Sequence, residues 1–418
     1  MNDATQFGGA MNRPDHVPQA LVYDFDMFRD PDYILDPHAR IAELVRQTPD
    51  LFWTPRNGGH WMFISYAVNF QAARDTETFS SEFRSQEQIA AMKAMLPEGT
   101  PYIPQSVPIT LDPPMHGKYR APLQGAFSPK TIMAMKDEIR ELANRLIDQV
   151  IDRGRCDFMT DIAEPLPVLV FLKMMGLPLD RMAEFRHLVQ QFLATSFDDN
   201  AQLVITIQAV AQSMLGTIIE RRDAPRDDLI SLLWATTIDG EPLSIEDMQN
   251  YCFLLFIAGL DTVMNGMGFG MRHLARDQAL QSKLRENPEL ITEASEELLR
   301  RYSFTIPTRR VAHDTEFAGV RFKKDDIVML CLPAADLDPR EFSDPDQFDL
   351  GRVNKVHIAF NAGPHRCLGS HLARVELQII YEQMLSRLPE FSLDAEQPAK
   401  FHCGNVIGID SLPIVWGG

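Results

Sequence analysis

The segment from Ser244 to Ala275 limits the fold more than any other. Ser244-Ile-Glu-Asp247 has the form of a capping box, in which a serine and an acid three residues on satisfy each other's free backbone N–H groups. Apolar residues then recur at helical spacing to about Ala275. A helix of about 30 residues is near 45 Å long, enough to cross the molecule, so the rest of the chain must pack around it. Helical spacing recurs from Asp137 to Val150, through Ile139, Leu142, Leu146 and Ile147, and again over 196–222 and 287–303. Strand signals are fewer. Two β-prone runs flank Asn57-Gly58-Gly59 as a hairpin, short strands are expected over 315–333, and a last pair over 405–416. The expected class is mainly α with small β-sheets (α+β).

No Gly/Ser tract, Pro-rich run, like-charge block or repeat divides the 418 residues. The chain therefore reads as a flexible arm over residues 1–20 and a single domain over 21–418. The arm lacks the apolar core of a signal peptide, and no stretch reaches roughly 18 uninterrupted apolar residues. A net charge of −18 argues against general affinity for nucleic acid or anionic membranes. The five cysteines are odd in number and widely spaced, without a CxxC pair, which fits a reducing compartment. A cytoplasmic protein is expected, without membrane or nucleic-acid partners. Cys252 and Cys331 sit in apolar runs and read as small buried hydrophobes.

Three constellations could carry chemistry. Cys367 lies in "FNAGPHRCLG", just before a helical pattern with Leu372, Val375 and Ile379 on one face. A helix N-terminus favours thiolate over thiol, and Gly363 and Gly369 admit a close neighbour. The loop suits a buried cysteine, a zinc site with His365 and His371, a nucleophile with His365 as base, or an axial haem ligand. Next, Asp261 and Thr262 follow Ala258-Gly259 inside the apolar run of the long helix. A buried carboxylate needs a partner or a task, and the pair reads either as an Asp facing an arginine or as a proton-moving pair beside a ligand. Lastly, Glu297 and Arg300 stand at i, i+3, an ordinary ion-pair spacing.

Taken together, in this order, the three resemble the cytochrome P-450 haem-thiolate monooxygenases. Phe360, Gly363, Cys367 and Gly369 match that family's F-x-x-G-x-x-x-C-x-G. Ala258, Gly259, Asp261 and Thr262 match its [A/G]-G-x-[D/E]-T, and Glu297 and Arg300 its E-x-x-R. "DPREFSDPDQFDLGR" looks like the loop before its haem ligand, and the likeness runs from about Asp24 to Trp416. "LDPPMHGKYR", "GLDTV", "EELLRR" and "SLPIVW" are similar to the class of the bacterial camphor hydroxylase. Two positions depart. Asn361 stands where the loop commonly has Gly, and Pro104 falls where the camphor enzyme has its substrate-binding tyrosine, Tyr102 being the nearest one here.

The resemblance implies the P-450 fold, with haem b between the long helix and the cysteine loop. It implies that Cys367 ligates the iron, that Asp261 and Thr262 deliver protons to bound dioxygen, and that Glu297 and Arg300 buttress the loop. His116, Arg120, Arg309 and His365 would hold the propionates, with Arg309 preferred to Arg310. Phe360, Gly363, Ala258 and Gly259 would adjoin the macrocycle. Leu254, Ile257, Phe304, Thr305, Ile306, Val406 and Tyr102 would line the substrate pocket, under a lid over 86–109. The implied reaction is hydroxylation of a small lipophilic terpenoid or norisoprenoid, using O2 and electrons from a [2Fe-2S] ferredoxin and its NADH-dependent reductase. Arg120, Lys118, Lys355 and Arg366 would form a basic docking patch. The alternatives are a peroxide-driven peroxygenase and a non-enzymatic haem sensor or lipid carrier; the acid–alcohol pair speaks against the first, and no signalling module accompanies the second.

Overall fold

The computed structural model of the protein describes residues 11–82, 102–194 and 200–417. Its principal helices are α1 (Pro37–Gln47), α2 (Tyr66–Arg74), α3 (Met115–Gln124), α4 (Lys136–Asp148), α5 (Pro165–Met174), α6 (Asn200–Asp223), α7 (Ile245–Leu274), α8 (Ile291–Arg301) and α9 (Ser370–Arg387). The strands that frame them are β1 (Leu51–Thr54), β2 (His60–Phe63), β3 (Phe79–Ser80), β4 (Arg155–Asp157), β5 (Thr308–Val311), β6 (Thr315–Phe317), β7 (Val320–Phe322), β8 (Ile327–Leu330), β9 (Phe391–Leu393), β10 (Lys400–His402), β11 (Gly408–Ser411) and β12 (Pro413–Trp416).

The capping box forms as expected: Ser244 Oγ accepts the Asp247 N–H at 3.0 Å, and the Asp247 carboxylate accepts the Ser244 N–H at 3.0 Å. From there α7 runs unbroken through the middle of the fold, packed against α5, α6, α8 and α9. Cys252, Met267 and Met271 on it have no accessible surface. Burying Leu- or Met-sized side chains stabilises by about 1.5–3 kcal/mol each, which makes this helix the spine of the main core. Tyr381 of α9 donates its hydroxyl to Gly266 O at 2.9 Å, tying α9 to the same spine. α6 and α7 are each long and apolar enough to cross a membrane by length and composition, but α7 is mostly enclosed by its neighbours.

A five-stranded sheet, in the order β1-β2-β8-β5-β3, covers one side. β1 and β2 form the hairpin read around Asn57 to Gly59, with Leu51 opposite Phe63. β8 joins β2 in parallel and β5 antiparallel, placing Val328 opposite both Trp61 and Arg309. The last strands differ from expectation. β11 and β12 do not pair with each other: β11 pairs with β10, while β12 lies between β9 and β4 in a three-stranded sheet. Only Leu412 separates them, too short a connection for a hairpin between the two, so the chain passes from one sheet to the other there.

The N-terminal arm also differs. From residue 11 onward it is tied to the sheet at a few points, though most of its residues to Ala20 are exposed. Met11 N–H bonds Pro55 O at 2.8 Å, His16 bonds Asp326 at 2.8 Å, and Val17 is fully buried. Apolar Val17 finds a place beside Trp53 and Trp61 in the sheet's own hydrophobic cluster, which composition alone did not reveal.

Candidate functional site

The cysteine loop enters α9 from a tight turn. Cys367 N–H donates to Phe360 O at 2.8 Å, closing the loop on itself. Asn361 takes φ +63°, a left-handed conformation that Gly fills without cost and Asn tolerates better than most. Its own Oδ1 accepts the Ala362 N–H at 2.8 Å. That accounts for asparagine at a position where the pattern has Gly. Gly363 has a different use from the one expected. It sits at φ +69°, and an added Cβ would lie 2.5 Å from Ala73 O and 2.9 Å from the Arg74 Cα. Its missing side chain is required by the end of α2, so its closest neighbour is protein backbone.

Of the five cysteines, only Cys367 is exposed. Yet burial raises its thiol pKa, opposed by the Gly369 N–H and by Arg120, Arg374 and Arg366. The helix N-terminus does not by itself hold the free side chain as thiolate, because desolvation outweighs it. Ala258 and Gly259 are likewise accessible, although they lie mid-way along the otherwise buried α7, and a Cβ at Gly259 would meet nothing.

Four nitrogen-bearing side chains gather beside the loop. His116 and His365 lie with ring centroids 4.1 Å apart. Arg120 Nη2 donates to Arg366 O at 2.6 Å. Burial, with Arg309 and the other neighbouring cations, pushes His365 down to about 3, and burial holds Arg309 down to about 10. Among the described residues, His365 Nε2 and Arg309 Nε are buried without partners. Asp112 is the carboxylate whose charge reaches Arg309, and it already accepts from Ser80 Oγ and the Ser81 N–H. Two buried orphan nitrogens and two guanidinium groups without an ion pair among the described residues suit an anionic ligand, and the two propionates of haem b fit that donor set.

Arg310 turns the other way. It pairs with Asp325 at 2.9 Å and donates to Glu82 O at 2.8 Å. The alternation of β5 thus separates the adjacent arginines, one inward and one to the surface.

On α7, Thr262 Oγ1 donates to Ala258 O at 2.9 Å. Asp261 is half-buried, and burial raises its pKa. Among the described residues no arginine meets it. Asn265 donates to its Oδ1 at 2.9 Å, and the charge of His402 acts on it from the β10–β11 hairpin.

Glu297 and Arg300 are 1 % exposed each, far from the surface pair that their spacing alone suggests. Arg300 bonds both carboxylate oxygens, at 2.9 and 2.8 Å, and reaches Asp336 O, Pro345 O and Gln347 O. Arg352, buried and absent from the sequence reading's site, also donates to Glu297 Oε1 at 2.9 Å. Asp336 accepts the Ile358 N–H at 2.7 Å, joining this network to the strand of chain that leads to Phe360. Arg374 of α9 stacks 4.5 Å over the Phe360 ring and bonds Glu296.

The pocket residues divide. Leu254 is almost wholly buried, Ile257 and Phe304 are half-buried, and Thr305 bridges Val406 across a single β-bridge. Ile306 is fully buried in the main core, on the opposite side of the backbone from Thr305, and so does not line an accessible pocket. Tyr102 commits its hydroxyl to Asn250 Oδ1 at 2.9 Å, fastening this segment to α7. Residues 86–101 of the expected lid lie outside the described residues. In the expected basic patch, Lys118 is paired with Asp239 and Lys355 with Glu293, which leaves Arg366 and Arg120 as the cations without an ion pair among the described residues.

The rival readings of the cysteine loop lose support. Among the described residues no three His, Cys, Asp or Glu side chains converge on a metal-ion site. His365, pressed on His116 and held neutral, is poorly suited to act as a general base for the thiol.

Comparisons with known proteins agree with this geometry. The family profile described as Cytochrome P450 matches residues 169–416. A probable cytochrome P450 127A1 from Sinorhizobium fredii is 35 % identical over 412 residues, covering 96 % of this chain and 96 % of that protein. A steroid C26-monooxygenase from Mycolicibacterium smegmatis is 31 % identical, covering 92 % and 94 %. The crystal structure of CYP101J2 superposes with a TM-score of 0.86 at 32 % identity, over 98 % of this chain and 100 % of that one.

Proposed function

Because the chain belongs to the cytochrome P450 family, we propose that Cys367 is its haem ligand and that it hydroxylates an unactivated C–H bond of a compact lipophilic molecule. Enzymes of this family are haem-dependent monooxygenases: a substrate R–H, O2, two electrons and two protons give R–OH and water. The observation that carries the assignment is one accessible cysteine, Cys367, two residues from His365, whose Nε2, like Arg309 Nε, is buried without a partner among the described residues.

Haem b held by Cys367 supplies dioxygen binding and reductive O–O cleavage, which thiolate ligation favours. The chain's own residues supply the rest. Arg309, His365, His116 and Arg120 hold the two propionates and so fix the orientation of the macrocycle. The loop bond from Cys367 N–H to Phe360 O and the Gly369 N–H near Sγ set the sulfur's surroundings. Glu297, Arg300 and Arg352 keep the preceding segment rigid. Ala258 and Gly259, accessible on α7, would leave space beside the bound group. Asp261 and Thr262 bring protons to that space, the hydroxyl positioned by its bond to Ala258 O.

Leu254, Ile257, Phe304, Thr305 and Val406 supply an apolar wall, which favours a terpenoid or norisoprenoid over a polar substrate. Electrons come from a separate redox protein. An acidic [2Fe-2S] ferredoxin with an NADH-dependent reductase is our reading, supported by Arg366 and Arg120 on the cysteine-loop face and set against an overall charge of −18. Unpaired cysteines throughout support a cytoplasmic site of action.

A substrate-binding titration tests the substrate class. Norisoprenoids, and terpenoids bulkier or less polar than camphor, should shift the ferric spin state at lower concentration than camphor or a steroid. Tight binding of a steroid alone would move the assignment to the steroid-hydroxylating relatives' class. Thr262→Ala should retain NADH consumption while product per NADH falls and peroxide rises; wild-type yield would remove Thr262 from proton delivery.

A further inference from the structure

Asp261 is linked to a surface hairpin that the family patterns do not include. Asn265, fully buried, donates its amide to Asp261 Oδ1 at 2.9 Å and accepts the Ile409 N–H of β11 at 2.9 Å. The next residue on β11 is Asp410, whose Oδ1 lies 2.7 Å from His402 Nδ1 on β10. The His402 ring rests on Gly408, where any Cβ would overlap its Cε1 and Nε2. The seat is therefore built for an imidazole. The His402 side chain is 38 % exposed and that of Asp410 53 % exposed, so the pair reaches solvent.

Other groups around the hairpin are engaged elsewhere. Arg272 of α7 lies over the Phe401 ring and pairs with Asp36. Asp157 of β4 accepts from Ser411 Oγ and the Leu412 N–H. Cys403 donates to Tyr33 O, with Asp30 behind it. Asp161 follows on the turn after β4 and accepts the Asp157 N–H. Lys400 begins β10. Among the described residues, the charges that act on His402 are those of Asp410 and Asp261, and both favour its imidazolium form over the opposing effect of burial.

We propose that His402 is a positioning residue for oxygen activation, held by Asp410 as the cationic partner that governs the charge of Asp261. The inference rests on the reading of Asp261 and Thr262 as the proton-delivering pair. The imidazolium charge opposes the burial that raises the Asp261 pKa, and so favours the ionised carboxylate that accepts and passes on a proton. When His402 loses its proton, Asp261 loses that support, and proton delivery declines with rising pH. Asp410 sets where this happens. No net proton is gained or lost by the array in a cycle: each proton passed inward is replaced from solvent.

The test has two readouts. In the diamagnetic ferrous carbonyl holoenzyme, labelled with 13C at histidine, His402 should titrate above the ordinary histidine range. Asp410→Asn should lower its midpoint by about one unit, and Asp261→Asn should lower it by less, because coupling between two sites is reciprocal. In turnover, Asp410→Asn should shift the high-pH decline of product per NADH to lower pH. His402→Gln should reduce product per NADH several-fold near neutrality, and His402→Lys, a cation across this range, should restore it and remove the decline. A His402 midpoint unchanged in Asp261→Asn overturns the proposal. So does a His402→Gln enzyme with wild-type yield at every pH. If Asp261→Asn itself keeps wild-type yield while the two groups titrate together, the proton-delivery reading of Asp261 fails and the electrostatic pairing stands.

Discussion

Arg309 and Arg310 are neighbours on β5, yet one guanidinium is buried with an unpartnered Nε and the other is paired with Asp325 at 2.9 Å. The strand's period of two places them on opposite faces. Arg309→Ala should therefore speed haem loss to a scavenging apoprotein by roughly tenfold or more, the worth of one charge-assisted hydrogen bond of about 1.5–3 kcal/mol. Arg310→Ala should leave it nearly unchanged, since surface pairs contribute about 0–1 kcal/mol. Equal effects from the two variants would refute the division.

The Glu297 carboxylate stands between two buried guanidinium groups, Arg300 and Arg352. Removing its charge leaves both uncompensated. Glu297→Gln should cost about 3–5 kcal/mol, seen as a lowered urea midpoint and poor haem incorporation. The double variant Glu297→Gln/Arg352→Met should be less damaged than the sum of its parts, because one stranded charge is removed with its partner. Strict additivity would show that the two residues do not act as one network.

Glu376 on α9 is buried, its Oε2 has no hydrogen-bond partner among the described residues, and burial pushes its pKa up to about 8 from an ordinary 4.5. Between those values the folded state binds the proton that the unfolded state releases. Its contribution is therefore present below pH 4.5 and lost as pH rises toward 8, at about 1.4 kcal/mol per unit. Glu376→Gln, which resembles the neutral acid, should be more stable than wild type at pH 8, with the difference vanishing near pH 4.5. Urea unfolding at several pH values measures this. A variant less stable than wild type at pH 8 would mean that the ionised carboxylate has a partner.

Much of this site was legible because its parts are local. The capping box of α7, the turn at Asn361, the i, i+3 spacing of Glu297 and Arg300, and the reach of Thr262 to Ala258 O all depend on residues within a few positions of each other. Asn265 could have been found the same way, four residues after Asp261 on one helical face. Arg352 is different: its carboxylate partner is 55 residues away in sequence, and only the folded chain identifies it. The charge of His402 acting on Asp261, the switch of sheets at Leu412 and the burial of Val17 are equally non-local. Gly363 was read as a glycine for the cofactor because the backbone of α2, its real neighbour, is nearly 290 residues earlier.

The central claim is that Cys367 holds the iron, and the ferrous carbonyl spectrum tests it most directly. The wild-type holoenzyme should show the red-shifted Soret band of a thiolate-ligated carbonyl. Cys367→Ser, checked by circular dichroism for intact helices, should lose that band. A Cys367→Ser protein that retains the thiolate-type band would contradict the account.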